Sequence, residues 1–129
     1  MEESITLKDF LGFYKKTMEM GPVDAGTYSP LVLAYIGDAV YEVMIRAKVI
    51  NKGSIQVNKL HKRRAELVKA GTQAAMIRLL EEDLTEEEHA VYKRGRNAKS
   101  VTMAKHATMK DYRMATGFEA LMGYLYLTE

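Results

Sequence analysis

Apolar residues recur along the chain at the three- and four-residue spacing of amphipathic helices, and no segment alternates as a half-buried strand does. Residues with a strong N-cap preference precede three of these segments: Thr6, Ser29 followed by Pro30, and Thr85, which opens a capping box with Glu88. We therefore predict an all-α fold of about five to seven helices. The predicted helical segments are 7–20, 30–50, 54–80, 85–96 and 111–127, with Gly71 weakening the third and a loop at 97–110.

The length and composition favour a single domain, because 129 residues of which 47% are hydrophobic are enough to bury a core. The chain contains no cysteine, which excludes disulfides, cysteine-ligated zinc and thiol nucleophiles. Its acidic N-terminus lacks an apolar signal segment, and the apolar run 31–50 contains four charged residues, which argues against membrane insertion. We expect a soluble, cytoplasmic protein in which residues 1–129 form one domain.

Charge is unevenly distributed along the chain, although the formal net charge is only +2. Residues 93–113 contain seven Lys or Arg against one acid, and residues 59–69 contain five against one. Residues 81–88, in contrast, contain six acids and no base. Two basic clusters indicate that one face of the protein binds a polyanion. For either cluster taken alone, a solvated helix face is the alternative.

Two carboxylates are unusual because they interrupt strongly apolar helices. Asp38 follows Gly37 in L-A-Y-I-G-D-A-V-Y-E, and Glu119 lies in G-F-E-A-L-M-G. Carboxylates in such positions need a cation, a metal or hydrogen-bond donors, and two that converge would form a hard-oxygen site suited to Mg²⁺. Near a basic face, this arrangement would support metal-assisted hydrolysis of a phosphodiester.

A structural role is the alternative for both carboxylates, and residue spacing alone favours it. Asp38 would pair with a lysine at the rim of the fold. Glu119 would pair with Arg113 or Arg46. Glu42 and Arg46 are four residues apart, so an ordinary ion pair along one helix accounts for these two residues.

Two motifs resemble the signature sequences of the ribonuclease III family. The stretch 33–42, L-A-Y-I-G-D-A-V-Y-E, is similar to the family's first motif, which ends in Leu-Gly-Asp. The stretch 118–127, F-E-A-L-M-G-Y-L-Y-L, is similar to the second, Glu-Ala-Leu-Ile-Gly. Other motifs resemble a bacterial branch of this family that lacks a double-stranded-RNA-binding domain, and the likeness covers nearly the whole chain. They are L-H-K at 60–62, T-E-E-E at 85–88, K-R-G-R-N-A-K-S at 93–100 and Y-R-x-x-T-x-F-E-A-L at 112–121.

The resemblance implies an all-α ribonuclease III endonuclease domain that cleaves double-stranded RNA with Mg²⁺, for which Mn²⁺ can substitute. Asp38 matches the family's catalytic aspartate and Glu119 its metal-binding glutamate, so both are expected as catalytic and metal-ligating residues. The wider family has further acids at positions that correspond to Leu31, Ala34 and Thr116. Two of the usual carboxylates therefore remain in each protomer.

The resemblance also implies a two-fold homodimer, in which the helix 30–50 packs against the same helix of a partner. Two active sites would then cut both strands of the duplex, because the strands are related by local two-fold symmetry. The implied role is maturation of the 23S ribosomal RNA precursor in the bacterial cytoplasm, with ribosomal proteins as candidate assistants. The implied products carry 5′-phosphates, 3′-hydroxyls and short 3′ overhangs.

Basic segments are the expected RNA contacts, because A-form RNA is recognised through its phosphates, 2′-hydroxyls and shape. Such binding weakens as salt rises. Three tyrosines, at positions 35, 112 and 124, are interpreted as packing groups. The predicted RNA-binding residues are Arg94, Arg96, Asn97, Lys99 and Ser100 at a helix end, and His61 and Lys62, beside Arg63 and Arg64, as a second contact.

The sequence is also compatible with two other functions. The first is a degenerate ribonuclease III domain that holds duplex RNA without cutting it, which the missing family acids favour. The retained Asp38 and Glu119 argue against it. The second is a plain helical dimer for protein interaction, which has no need of basic residues clustered around Asn97. Salt-sensitive binding of duplex RNA would distinguish the protein-interaction dimer from the two RNA-binding functions. Cleavage of that RNA would distinguish the endonuclease from the degenerate domain.

Overall fold

The computed structural model describes residues 4–51, 53–99 and 108–128, and over these ranges the protein is all-α, as predicted. No strand occurs in the described part of the chain, and no helix there is long and apolar enough to cross a membrane. Two short 3₁₀ turns, Ala25–Thr27 and Glu81–Asp83, accompany the helices. The helices are α1 (Leu7–Thr17), α2 (Pro30–Val49), α3 (Val57–Leu67), α4 (Ala70–Leu80), α5 (Glu86–Asn97) and α6 (Met109–Thr128).

Local capping residues set where three helices begin. The Thr6 side chain accepts a hydrogen bond from the Asp9 backbone N–H at 3.0 Å, and the Asp9 carboxylate accepts one from the Thr6 N–H at 3.2 Å. Thr85 and Glu88 form the same reciprocal box before α5, at 3.2 and 2.8 Å. Ser29 caps α2 with its side chain. The predicted starts of α1, α2 and α5 are therefore confirmed.

The segment 54–80, predicted as one helix, is two helices, so that prediction is wrong in its middle. α3 ends at Leu67 and α4 begins at Ala70. The Leu67 carbonyl accepts a hydrogen bond from the buried Tyr41 hydroxyl of α2 at 2.7 Å, and the Gln73 side chain donates to the Val68 carbonyl at 3.1 Å. These donors satisfy carbonyls that a helix end leaves open, so the break is stabilised by a neighbouring helix.

α6 is the central helix of the fold, and it begins at Met109, two residues before its predicted start. It packs against α2, α4 and α5. Tyr41 of α2 meets Phe118 of α6 edge to face, with ring centroids 5.4 Å apart, and Ile77 and Tyr92 bring α4 and α5 into the same core. Of the predicted loop 97–110, the stretch 100–107 lies outside the described residues.

α2 and α6 cross with their backbones in contact, and two glycines allow this approach. A Cβ placed on Gly37 would lie 2.8 Å from the Gly123 nitrogen and closer still to the Glu119 carbonyl. A Cβ on Gly123 would overlap the Leu33 carbonyl. Any larger residue at either position would push the helices apart. Because Asp38 follows Gly37, the crossing brings it beside Glu119.

Two apolar faces of the chain are exposed. α1 has no buried residue, although Leu7, Phe10 and Phe13 lie along it. On α2, Tyr35 is 81% exposed and Val43 is 69% exposed. A helix of 11 residues without buried contacts is only marginally stable in water, so the apolar face of α1 is a candidate for association. The exposed apolar side chains of α2 form a second candidate face.

Candidate active site

Asp38 and Glu119, the two acids singled out in the sequence, line the same cavity. Asp38 is exposed on α2, and Glu119 is half-buried on α6. The cavity has a volume of about 530 Å³ and opens to solvent above the glycine crossing of these helices. The other lining residues that bear on its chemistry are Leu31, Ala34, Tyr35, Tyr112 and Thr116.

The two carboxyl groups are electrostatically coupled. Burial, the charge of Asp38 and a hydrogen bond with Asp38 together raise the pKa of Glu119 from 4.5 to about 8. Burial and then the charge of Glu119 raise the pKa of the Tyr41 hydroxyl. In the absence of a cation, the carboxyl pair therefore retains one proton near neutral pH.

No ion pair reaches either carboxylate within the described residues, which argues against a purely structural role. Arg46 lies 2.9 Å from Glu42, as the four-residue spacing predicts, and Arg64 of α3 binds the same carboxylate oxygen. The hydrogen bond from Arg64 is the main cause that lowers the pKa of Glu42. Arg113 lines a different cavity. Both arginines proposed as alternative partners for Glu119 are therefore directed elsewhere.

The carboxylate pair has the chemistry to hold a divalent cation. Two hard oxygen donors face an open cavity, and a cation would relieve the repulsion that helps to raise the pKa of Glu119. Across the described ranges, no group of three or more His, Cys, Asp or Glu could hold a metal ion. Water or phosphate oxygens would therefore complete the coordination. Leu31, Ala34 and Thr116 line this cavity, so the acids that this chain lacks would also have faced it.

The first predicted RNA-contacting element lies at the C-terminal end of α5. Arg94 and Asn97 are exposed, whereas Arg96 is half-buried, with its guanidinium 5.6 Å from the centre of the Tyr92 ring. Arg96 Nε donates to Asn97 Oδ1 at 3.4 Å. The remaining members are Lys99, which is exposed, and Ser100, which lies outside the described residues.

The second predicted contact, His61 and Lys62, is exposed on α3. His61 lines a mainly apolar cavity of about 220 Å³ together with Arg46 and Arg64. The structure thus brings the two carboxylates together, but neither predicted RNA-contacting element lines their cavity.

Three basic residues that were not among the predicted RNA-binding residues line one further cavity with Arg96: Arg78, Lys110 and Arg113. Lys110 and Arg113 belong to the basic cluster 93–113, which the sequence associates with polyanion binding without singling out these two residues. Arg78 is an isolated arginine in apolar α4, so only the packing of α4 on α6 brings it to this place.

Tyr35, interpreted from the sequence as a packing group, is 81% exposed in the single chain and borders the carboxylate cavity, so it does not pack against the described residues. Its position on the outer face of α2 leaves it without a packing partner in the described chain. Tyr112 and Tyr124 are half-buried on α6.

An all-α chain in which two coupled carboxylates converge beside basic helices has the features of a metal-dependent nuclease. A family model for the ribonuclease III domain matches residues 31–129. The Mini-ribonuclease 3 of Clostridium tetani is 57% identical over 105 residues, which cover 81% of this chain and 70% of that protein. The Mini-ribonuclease 3 of a Thermoanaerobacter species is 46% identical over 120 residues, which cover 93% and 84%.

A crystal structure of a Fusobacterium nucleatum protein has a similar fold, with a TM-score of 0.72 and 34% sequence identity over 79% of this chain and 81% of that chain. The chain therefore belongs to the ribonuclease III family, within the branch of relatives named Mini-ribonuclease 3. It is accordingly an endoribonuclease, and enzymes of this family generally depend on a divalent metal ion.

Proposed function

We propose that this endoribonuclease hydrolyses double-stranded RNA, using Mg²⁺ or in its place Mn²⁺, and leaves 5′-phosphate and 3′-hydroxyl ends. The observation that carries the proposal is the convergence of Asp38 and Glu119 on one cavity, with no cationic partner among the described residues. Asp38 is the proposed catalytic aspartate, and both residues are proposed as metal ligands.

The two carboxylates would act differently because their environments differ. Glu119 is half-buried with a pKa of about 8, so it holds a proton in the free enzyme and releases it when a cation binds. Asp38 is exposed at the open carboxylate cavity, so a phosphodiester could approach it from solvent. When bound, a divalent cation lowers the pKa of a water molecule and stabilises charge on the phosphate.

A two-fold homodimer is the proposed assembly, supported by the exposed apolar face of α2. Association through α2 would cover this face and set two carboxylate cavities on one duplex, one for each strand. The exposed apolar side chains of α1 could add to the same association. The large apolar residues on the exposed face of α2 are Leu31, Val32, Tyr35, Val43 and Met44, which are 40–81% exposed.

The proposed cellular substrate is the 23S ribosomal RNA precursor in the bacterial cytoplasm, with ribosomal proteins as candidate assistants. The likeness to relatives named Mini-ribonuclease 3 and the basic segments support this proposal. Residues 1–129 would act as a single ribonuclease III-like catalytic domain. The proposed RNA contacts are Arg94, Arg96, Asn97, Lys99, Ser100, His61 and Lys62.

A duplex-RNA-binding module without cleavage is the second candidate. The observation that favours it is specific: Leu31, Ala34 and Thr116 line the carboxylate cavity at the positions of the family's additional acids. With two carboxylates, the site could bind a cation too weakly for turnover.

Cleavage of a labelled duplex RNA, with Mg²⁺ and with a chelator, distinguishes the two candidates. We expect Mg²⁺-dependent fragments from the native chain and none from Asp38→Asn. Asp83→Asn makes the same chemical change at an exposed position outside the cavity and should cut normally. Intact RNA that the native chain nevertheless binds would favour the binding module. Fragments that persist with Asp38→Asn would exclude Asp38 as the catalytic aspartate.

A further inference from the structure

A cavity of about 600 Å³ between α4, α5 and α6, here called the basic cavity, has a strong excess of positive charge. Four cationic side chains line it, against the single carboxylate of Glu81. It is separate from the carboxylate cavity, because the two share no lining residue. The cationic side chains are Arg78, Arg96, Lys110 and Arg113.

Most of this positive charge is not neutralised by the protein. A Glu81 carboxylate oxygen lies 3.0 Å from His89 Nε2. Among the described residues, Arg78 is the only one of the four cations held by a carboxylate, that of Asp111 at 3.1 Å. Within the described residues, no acid lies within ion-pair distance of Lys110 or Arg113. Both side chains are exposed at the cavity. An uncompensated cluster of this kind in a concave site attracts an anion.

The chemistry of the lining suits an oxyanion such as a phosphate better than a simple halide. Guanidinium groups form paired hydrogen bonds with phosphate oxygens, and a lysine adds a point charge. Arg96 lies over the Tyr92 ring, and Arg78 is held by Asp111, so two of the three guanidinium groups are already oriented. Pre-oriented donors lose less side-chain entropy when an anion binds.

α6 connects the basic cavity to the carboxylate cavity. Lys110 and Arg113 line the first, whereas Thr116 and Glu119 line the second. Arg113 precedes Glu119 by six residues, which is about 9 Å along a helix axis and about 120° around it. A nucleic-acid strand that placed one phosphate at the carboxylates would therefore have to follow the surface of α6 to place another in the basic cavity.

We propose that the basic cavity binds a backbone phosphate of the RNA substrate near the bond that is cut. Arg113 and Lys110 would contact this phosphate directly, with Arg96 beside them at the end of α5. Arg78 would be a positioning residue for the cavity through its ion pair with Asp111. This inference rests on the proposed function, because it assumes that duplex RNA is the substrate.

The test measures binding rather than cleavage. The affinity of the native chain, Lys110→Gln and Arg113→Gln for a duplex RNA is followed against salt in the presence of a chelator. Each variant should bind more weakly at low salt and lower the slope of log affinity against log salt by about 1. Lys15→Gln, which removes one exposed lysine of α1, is the matched control and should keep the native slope. Unchanged circular dichroism would exclude misfolding of the variants.

The possible results separate the cavity from the proposed activity. Reduced slopes would support the cavity even if the native chain binds RNA without cutting it. Native slopes in both cavity variants would overturn the inference while leaving hydrolysis intact. Inorganic phosphate and a nucleoside monophosphate are tested as competitors for the native chain. If Lys110→Gln and Arg113→Gln bound the nucleoside monophosphate more weakly than the native chain but bound RNA equally well, the assignment to RNA would be overturned. The cavity would then be a small-molecule site.

Discussion

Removing the half-buried carboxyl of Glu119 should change how the stability of the metal-free protein depends on pH. The pKa of Glu119 is raised to about 8 in the folded protein, mainly by burial and then by Asp38, whereas its ordinary value is 4.5. A neutral Glu119 therefore stabilises the fold fully below pH 4.5, and this contribution is lost as the pH rises towards 8. Glu119→Gln is neutral throughout and should lack this loss.

The expected effect is large for one side chain. Between about pH 5.5 and 7.5, the unfolded chain has released the proton that the folded chain retains, and each pH unit then costs about 1.4 kcal/mol. Over this interval the native chain should lose about 3 kcal/mol relative to Glu119→Gln. For a domain of this length, this corresponds to a relative decrease in Tm of roughly 10 °C.

Thermal unfolding followed by circular dichroism, in chelator and across this pH range, measures the difference. Asp38→Asn should show a smaller pH dependence than the native chain, because it removes the second cause of the raised pKa. Glu82→Gln makes the same change as Glu119→Gln at an exposed position and should follow the native curve. Adding Mg²⁺ at the upper end of the range should restore Tm to the native chain and much less to Glu119→Gln.

Parallel loss of stability in the native chain and Glu119→Gln would refute this reasoning. It would mean that Glu119 is ionised in the folded, metal-free protein and that the two carboxylates are not coupled as described. A native chain whose Tm responds to pH but not to Mg²⁺ would keep the coupling and exclude the pair as a Mg²⁺ site.

Three further predictions concern the helix crossing, the missing acids and the dimer. Gly37→Ala should lower the free energy of unfolding, measured with urea, by at least about 3 kcal/mol, because its Cβ meets the backbone of α6. Gly12→Ala, on open α1, should be neutral or stabilising, and equal effects of the two substitutions would contradict the described crossing. Thr116→Asp should lower the Mg²⁺ concentration needed for half-maximal cleavage, and an unchanged titration would mean that position 116 does not face the metal. Tyr35→Lys should yield monomers in sedimentation, whereas Tyr126→Lys, also at an exposed tyrosine, should not.

Local signals predicted much of the secondary structure. The N-caps of α1, α2 and α5 lie within three residues of the N–H groups they satisfy, and the Glu42–Arg46 pair spans four residues. Such interactions depend only on helix geometry, which a short stretch of sequence specifies. The break between α3 and α4 depends instead on the hydroxyl of Tyr41, 26 residues before the carbonyl it satisfies. Gly71 weakens the segment locally, but no short-range pattern determines where the break falls.

The candidate site also combines features that the sequence identifies with features that only the packing of the helices creates. The sequence alone identified Asp38 and Glu119 as unusual, but their spacing did not exclude ordinary ion pairs, and the motif resemblance was needed to connect them. The structure brings them together because glycines let α2 and α6 touch at the backbone. It also shows that Tyr35 lies on the outer face of α2, where any packing partner would come from another molecule.

By itself, the sequence determined that this protein is helical, where most of its helices begin, and which carboxylates and basic clusters to consider. The tertiary structure alone decided that the two carboxyl groups share one cavity and that Arg78 of α4 lines another cavity together with Arg113 of α6. The physical reason is the range of the interactions. Capping and helix pairs act over three or four residues, whereas the raised pKa of Glu119 and the basic cavity arise from packing between helices that are distant in the chain.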